Sequence, residues 1–164
     1  MKRAVFGLTA CLALVACDEV VDVRNRPPSA EAVGLCSEGD RLFVLVRLVD
    51  LEMDPADLEL VAMLPDGAAR IPTGAAGDGL TGLSTERTAE GRLHRVEWAA
   101  PCGPDDAPCT APCDRLGASL SGVQACALRP TTPPASLTVR ALARDTSTGA
   151  ATETALSVTS PCAE

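Results

Sequence analysis

Residues 42–49, Leu-Phe-Val-Leu-Val-Arg-Leu-Val, carry one charge, at Arg47. A run of branched and leucine side chains of that length predicts a strand buried on much of both faces. Next, Leu58, Leu60, Ala62 and Leu64 alternate with Asp57, Glu59, Val61 and Met63. This period of two predicts a strand whose first set faces a core, and Pro65, Asp66 and Gly67 end it with turn chemistry. Residues 73–91 are rich in glycine, threonine and alanine and predict weak edge strands around Leu80 and Leu83. Residues 93–98 predict another strand, with His94, Val96 and Trp98 on one face. Near the end of the chain Leu137, Val139, Ala141 and Ala143 alternate with polar or arginine positions. A turn at Asp145-Thr146-Ser147-Thr148-Gly149 follows, and Thr152, Thr154, Leu156 and Val158 complete a hairpin. No window keeps a helical period. Short strands at such intervals without helices predict an all-β, two-sheet sandwich of about seven strands.

The two ends of the chain read differently. Met1, Lys2 and Arg3 precede an apolar run over residues 4–14 and then Leu14-Val15-Ala16-Cys17. A charged start, an apolar run and a small-residue site in that order form an export signal. About eleven apolar residues fall short of the roughly 20 that cross a bilayer. Residues 17–35 read as a tether, because Asp18, Glu19, Asp22 and the Asn25-Arg26-Pro27-Pro28 run oppose regular structure. The folded domain is expected from 36 to 164, interrupted over residues 101–135 by an insertion with prolines at 101, 104, 108, 112, 130, 133 and 134.

Composition narrows the function classes. Fourteen basic and 22 acidic residues give a net charge of −8, the wrong sign for a nucleic-acid binder. Removing Lys2 and Arg3 with the signal leaves 12 basic residues against 22 acidic ones. The aromatic residues are Phe6, Phe43 and Trp98, too few for stacking platforms, and the one histidine, His94, excludes chemistry needing paired imidazoles. Of eight cysteines, Cys11 and Cys17 belong to the signal region, and six remain. Six suit three disulfides in an oxidising compartment, with fifteen connectivities open. Position favours Cys36 with Cys162 across the domain ends, Cys109 with Cys113 around a tight loop, and Cys102 with Cys126 around that. A zinc site from the four clustered cysteines fits poorly, since no C-x-x-C pair is present.

Leu14-Val15-Ala16-Cys17 resembles the lipobox of bacterial lipoproteins. The resemblance implies cleavage before Cys17, diacylation of its thiol with palmitate-type chains and acylation of the new amino terminus. Three chains, at about 0.8 kcal/mol per buried methylene, give firm anchorage. Further on, Asn25-Arg26-Pro27-Pro28-Ser29-Ala30, the strand leading into Asp50-Leu51-Glu52-Met53-Asp54-Pro55, and the closing hairpin with its Asp145 turn look like the Ig-like modules of the polycystic-kidney-disease and cadherin-like type. That resemblance implies an Ig-like seven-strand sandwich used as a spacer or binding module. The chain departs from the pattern at Met53-Asp54, where Gly-Asp is expected, and in its cysteine-rich insertion.

Candidate chemistry is sparse. Asp50, Glu52, Asp54 and Asp57 lie within eight residues, and Asp145 would sit at a corresponding bend. Hard oxygens at alternating positions suit calcium, although aspartates also cap turns through backbone amides. His94 with a serine such as Ser84, Ser119 or Ser121 would be needed for a small secreted hydrolase, but no G-x-S-x-G elbow exists. Gly74-Ala75-Ala76-Gly77-Asp78-Gly79 lacks the lysine and helix of a phosphate loop. The expectation is a non-catalytic, lipid-anchored envelope protein that binds a protein or glycan partner or acts as a spacer. Calcium-dependent adhesion is the alternative, and no other cofactor is expected. The loop from Cys102 to Cys126 is the expected recognition element, since rigid sandwiches place variable function on loops.

Overall fold

A computed structural model describes residues 26–50, 56–73, 85–88, 91–103 and 111–159. Eight strands are present among them: β1 (Ser29–Glu38), β2 (Arg41–Val49), β3 (Ala56–Leu64), β4 (Gly67–Arg70), β5 (Thr85–Thr88), β6 (Gly91–Glu97), β7 (Ser136–Asp145) and β8 (Ala151–Thr159). They form two four-stranded antiparallel sheets, ordered β1-β2-β6-β5 and β4-β3-β7-β8. The all-β, two-sheet expectation is therefore met, with one strand more than anticipated.

The inward positions follow the pleat. Val44, Val46, Val96 and Trp98 from the first sheet meet Leu60, Ala62, Val139 and Ala141 from the second, all buried. Burial of such side chains, at roughly 25 cal/mol per Å² of apolar surface, is the main stabilising contribution. On the outer side of the first sheet Phe43 lies between the guanidinium groups of Arg41 and Arg95, 4.8 and 4.2 Å from its ring centre. Glu97 binds Arg41 through two hydrogen bonds of 3.0 and 2.6 Å, and Glu38 lies 2.5 Å from Arg95, so this face is charged but internally matched.

Two expectations about boundaries need correction. The stretch expected to be a tether up to residue 35 already contains most of β1, with Ala30, Ala32 and Leu35 in the core. The register slips between Ala32 and Gly34, a bulge that changes the spacing of inward residues from two to three. That irregular spacing hides the strand from a period-two reading. The weak strands expected around Leu80 and Leu83 lie outside the described residues, and the strand observed in this region is β5.

Residues 111–135 do not stand away from the sandwich. After a 3-10 turn at Pro112–Arg115, the chain lies over the outer face of the second sheet. Arg70 donates its N–H to the Ala125 carbonyl, and Ala127 donates to the Arg70 carbonyl, both at 2.7 Å. This short parallel pairing of Cys126 with Arg70 covers the edge of β4. The indole N–H of Trp98 donates to the Ala127 carbonyl at 2.9 Å, tying the same segment to the core of the first sheet.

Candidate functional site

The second sheet carries a buried charge beneath the covering segment. Glu59 lies on the set of β3 positions that alternation assigns to solvent, beside Val61, yet both are buried. A carboxylate removed from water requires donors. Glu59 Oε2 accepts from the Leu120 N–H at 2.6 Å and lies 3.3 Å from Arg70, while Oε1 accepts from the Ser121 N–H at 3.3 Å and from the Ser121 hydroxyl. Arg70 in turn donates to the Gly117 carbonyl at 3.0 Å. The side chains of Arg70 and Glu59 are only 9% and 5% exposed. Residues 117–121 are thus held against β3 and β4 by one carboxylate and one guanidinium.

Cys113 is bridged to Cys126, with Cα atoms 5.7 Å apart. This corrects the expected pairs Cys109–Cys113 and Cys102–Cys126. The physical reason is the docking of residues 125–127 along β4, which brings Cys126 back to the 3-10 turn that carries Cys113. Cys36 and Cys102 are also disulfide-bonded. Cys17, Cys109 and Cys162 lie outside the described residues.

Beyond the bridge, Leu128 is 63% exposed, and Met63 and Leu64 at the β3–β4 turn are 39% and 37% exposed. With Pro65, Pro130 and Pro134 they line a groove with a volume of about 580 Å³. Ser136, Thr138 and Ser157 also line it, together with Trp98 and Leu137. Among the described residues no charged side chain lines it. Met63 pairs with Thr138 and Thr138 with Ser157, so the groove crosses three adjacent strands. Its position relative to the start of the domain is fixed by Thr152, whose hydroxyl donates to the Pro28 carbonyl. Ser157 lies five residues further along β8, roughly 17 Å away at 3.3 Å per residue. The groove and the cysteine-bridged segment therefore share the end of the sandwich away from the chain's entry into β1.

The expected calcium ligands are not assembled among the described residues. Asp145 accepts at Oδ1 from the Ser147 N–H (2.6 Å), the Ser147 hydroxyl (2.7 Å) and the Thr148 N–H (3.3 Å), and at Oδ2 from the Thr148 hydroxyl (2.8 Å). Four turn donors occupy the oxygens that a cation would need. Led by the Ser147 hydroxyl bond, they hold this carboxyl well below its ordinary range, against the opposing effect of burial. Asp57 lies 2.6 Å from Arg144. Asp145 thus caps the turn between β7 and β8. Asp50 lies half-buried after β2, while Glu52 and Asp54 fall outside the described residues. No group of three or more potential metal ligands occurs among the described residues.

His94 is buried on the inner face of β6, opposite Val46. Ser121 lies on the far side of the other sheet, bound to Glu59, so these two expected partners in hydrolysis are not brought together. Sequence reasoning missed Glu59, Arg70, Met63, Leu64 and Leu128. A signal existed in Val61 and Leu142, apolar residues at outward positions, which imply that something covers that face.

No family model, curated protein or solved structure matches this chain. Among the described residues no helix is long and apolar enough to cross a membrane.

Proposed function

We propose that the protein is a non-catalytic, lipid-anchored envelope module with an Ig-like fold, and that it binds a partner at the end of the sandwich bearing the groove. The observation that carries the binding role is the gathering of Met63, Leu64 and Leu128 in one groove, since exposed apolar patches of this kind mark interaction sites. Lettered along the chain as A, B, C, C′, D, E, F and G, the sheets read A-B-E-D and C′-C-F-G, an order that supports the Ig-like reading. The lipobox at Cys17 supports anchorage. Since the chain enters β1 at the opposite end, a lipid-held amino terminus leaves the groove directed away from the membrane.

The test has two parts. Labelled palmitate enters the wild-type chain and not Cys17→Ser, which is released from membranes; equal labelling removes the anchor. A photo-crosslinking residue at position 128 in intact cells gives a protein adduct, and one at position 151 does not. Adducts from neither position leave a spacer, not a binding module.

A further inference from the structure

We infer that Cys36 forms its disulfide with Cys162, and that this bond clasps β1, the strand through which the chain enters the domain, to the end of β8 in the other sheet. Cys36 and Cys102 are both disulfide-bonded, and Cys113 and Cys126 are bonded to each other. Cys102 does not reach Cys36. Cys36 pairs with Phe43 and Phe43 with Glu97, which sets Cys36 two strand spacings, roughly 9 to 10 Å, from Glu97. From Glu97 the chain runs on to Cys102 by way of Ala99, whose N–H donates to the Pro72 carbonyl just past β4. Cysteines whose Cα atoms are more than about 7 Å apart cannot be joined.

Topology favours Cys162 among the others. In the orders β1-β2-β6-β5 and β4-β3-β7-β8, β1 and β8 are edge strands of different sheets, and they pack against one another. The Thr152 hydroxyl donates to the Pro28 carbonyl, so the two strands start at the same end of the sandwich and run the same way. Counted from that contact, with the bulge in β1 taking up one residue, Cys36 stands level with the end of β8 at Thr159. Cys162 follows Thr159 by three positions, a reach of up to about 10 Å. Cα atoms in a bridge lie about 4.4 to 6.8 Å apart, so that reach suffices. Cys36 is half-buried on the outward set of β1, and β1 is an edge, so a chain continuing from β8 beside it can present a side chain to the same face.

Cys109 is poorly placed for this role. It is four residues before Cys113, whose partner Cys126 sits beside Arg70 of β4. β4 is the far edge of its sheet from β8, three spacings or roughly 14 Å away, which four residues cover only when nearly fully extended. Cys102, seven residues away in the chain, is the partner left to Cys109. Cys17 is taken by lipid, a step that rests on the anchorage proposed above. The bond forms when the two thiols give two electrons and two protons to an external disulfide, which leaves as a dithiol. Once it is closed, a pull on the anchored end of β1 passes at Cys36 into β8, and so into the second sheet.

The full chain is extracted from membranes in detergent without reductant, its free thiols are blocked with N-ethylmaleimide, and it is cut with trypsin after Arg24, Arg41, Arg95, Arg115, Arg140 and Arg144. Residues 25–41 should appear linked to residues 145–164, and residues 96–115 linked separately to 116–140. A 25–41 peptide linked to 96–115, or carrying the maleimide, overturns the pairing. A link from 25–41 to a peptide holding Cys17 overturns both the pairing and the lipid anchor. An unlipidated Cys17 beside an intact link from 25–41 to 145–164 removes the anchor and keeps the clasp. Cys162→Ser should expose one new thiol, at Cys36, and speed amide exchange in β1 relative to β3. Exchange in β1 equal to that of the wild type would show a bond that clasps nothing.

Discussion

Arg70 sits opposite Val61 in the β3–β4 register, so its guanidinium reaches diagonally across one pleat to Glu59, 3.3 Å away. Both groups are almost wholly out of solvent, and the segment over residues 117–121 supplies further partners to each, although Arg70 Nε is buried without one. Charges in such a place stabilise only while all of them are matched.

Glu59→Gln leaves Arg70 uncompensated and removes acceptor capacity from Leu120 and Ser121. The expected loss is roughly 3 to 5 kcal/mol, the range for breaking a buried pair by removing one partner. Chemical denaturation followed at Trp98 measures it. A loss below about 1 kcal/mol, as found for exposed pairs, would show that the cluster contributes no more than a surface bridge.

The Cys113–Cys126 bridge closes a short loop, with a sequence separation of 13. Chain entropy alone gives about 3 kcal/mol for a loop of that size. Cys113→Ser with Cys126→Ser should therefore lower stability by about that amount while the two sheets persist by circular dichroism. Non-reduced mapping with trypsin, which cuts after Arg115 and Arg140, together with Asp-N protease, which cuts before Asp105, Asp106 and Asp114, separates the peptides carrying Cys102, Cys113 and Cys126, and fragmentation of the linked species should join Cys113 to Cys126. Peptides linking Cys102 to Cys126 would contradict the structure.

Asp145 titrates below an ordinary value near 3.8 because its turn donors favour the carboxylate. A group with a depressed folded-state pKa contributes fully above its unfolded value, and the contribution fades as pH falls below it. The wild type should lose melting temperature between pH 5 and pH 2 more steeply than Asp145→Asn, and the variant should be less stable at pH 7. Parallel pH profiles for the two proteins would contradict the assigned cap.

Gly91 opens β6 at φ +126°, and a Cβ there would meet the Leu48 carbonyl oxygen at 2.6 Å and Val49 Cγ2 at 2.9 Å. Backbone strain and a backbone clash act together in Gly91→Ala, for an expected cost of about 1 to 3 kcal/mol or more. Gly67→Ala, at φ +129° with open space around it, separates the two effects, because it carries the strain alone. Thermal unfolding of the pair should rank Gly91→Ala as the less stable.

The strands that follow one rule were legible. Residues 42–49, 93–98 and 137–143 announce themselves because a single face or both faces are buried throughout, and β2, β6 and β7 occupy those places, with β8 following β7 across the turn. β1 was not legible, since its bulge breaks the alternation at Gly34. Leu156, expected to face inward, is 36% exposed, so β8 is buried less completely than its pattern suggests. The groove was hidden for another reason. Met63 and Leu64 belong to opposite sets of one strand, and only the return of Leu128 from 64 residues further along makes a shared surface of them.

Arg70 and Cys126 are neighbours in space and 56 residues apart in the chain, whereas Cys113 and Cys126 are close in both. Closing a long loop waits on the assembly of the elements between its ends, and a short loop does not. The loop between Cys113 and Cys126 therefore costs less entropy to close than the one between Arg70 and Cys126. The bridge and the docking thus hold Cys126 from two sides, one by a contact local in the chain and the other by a contact that needs β4 in place.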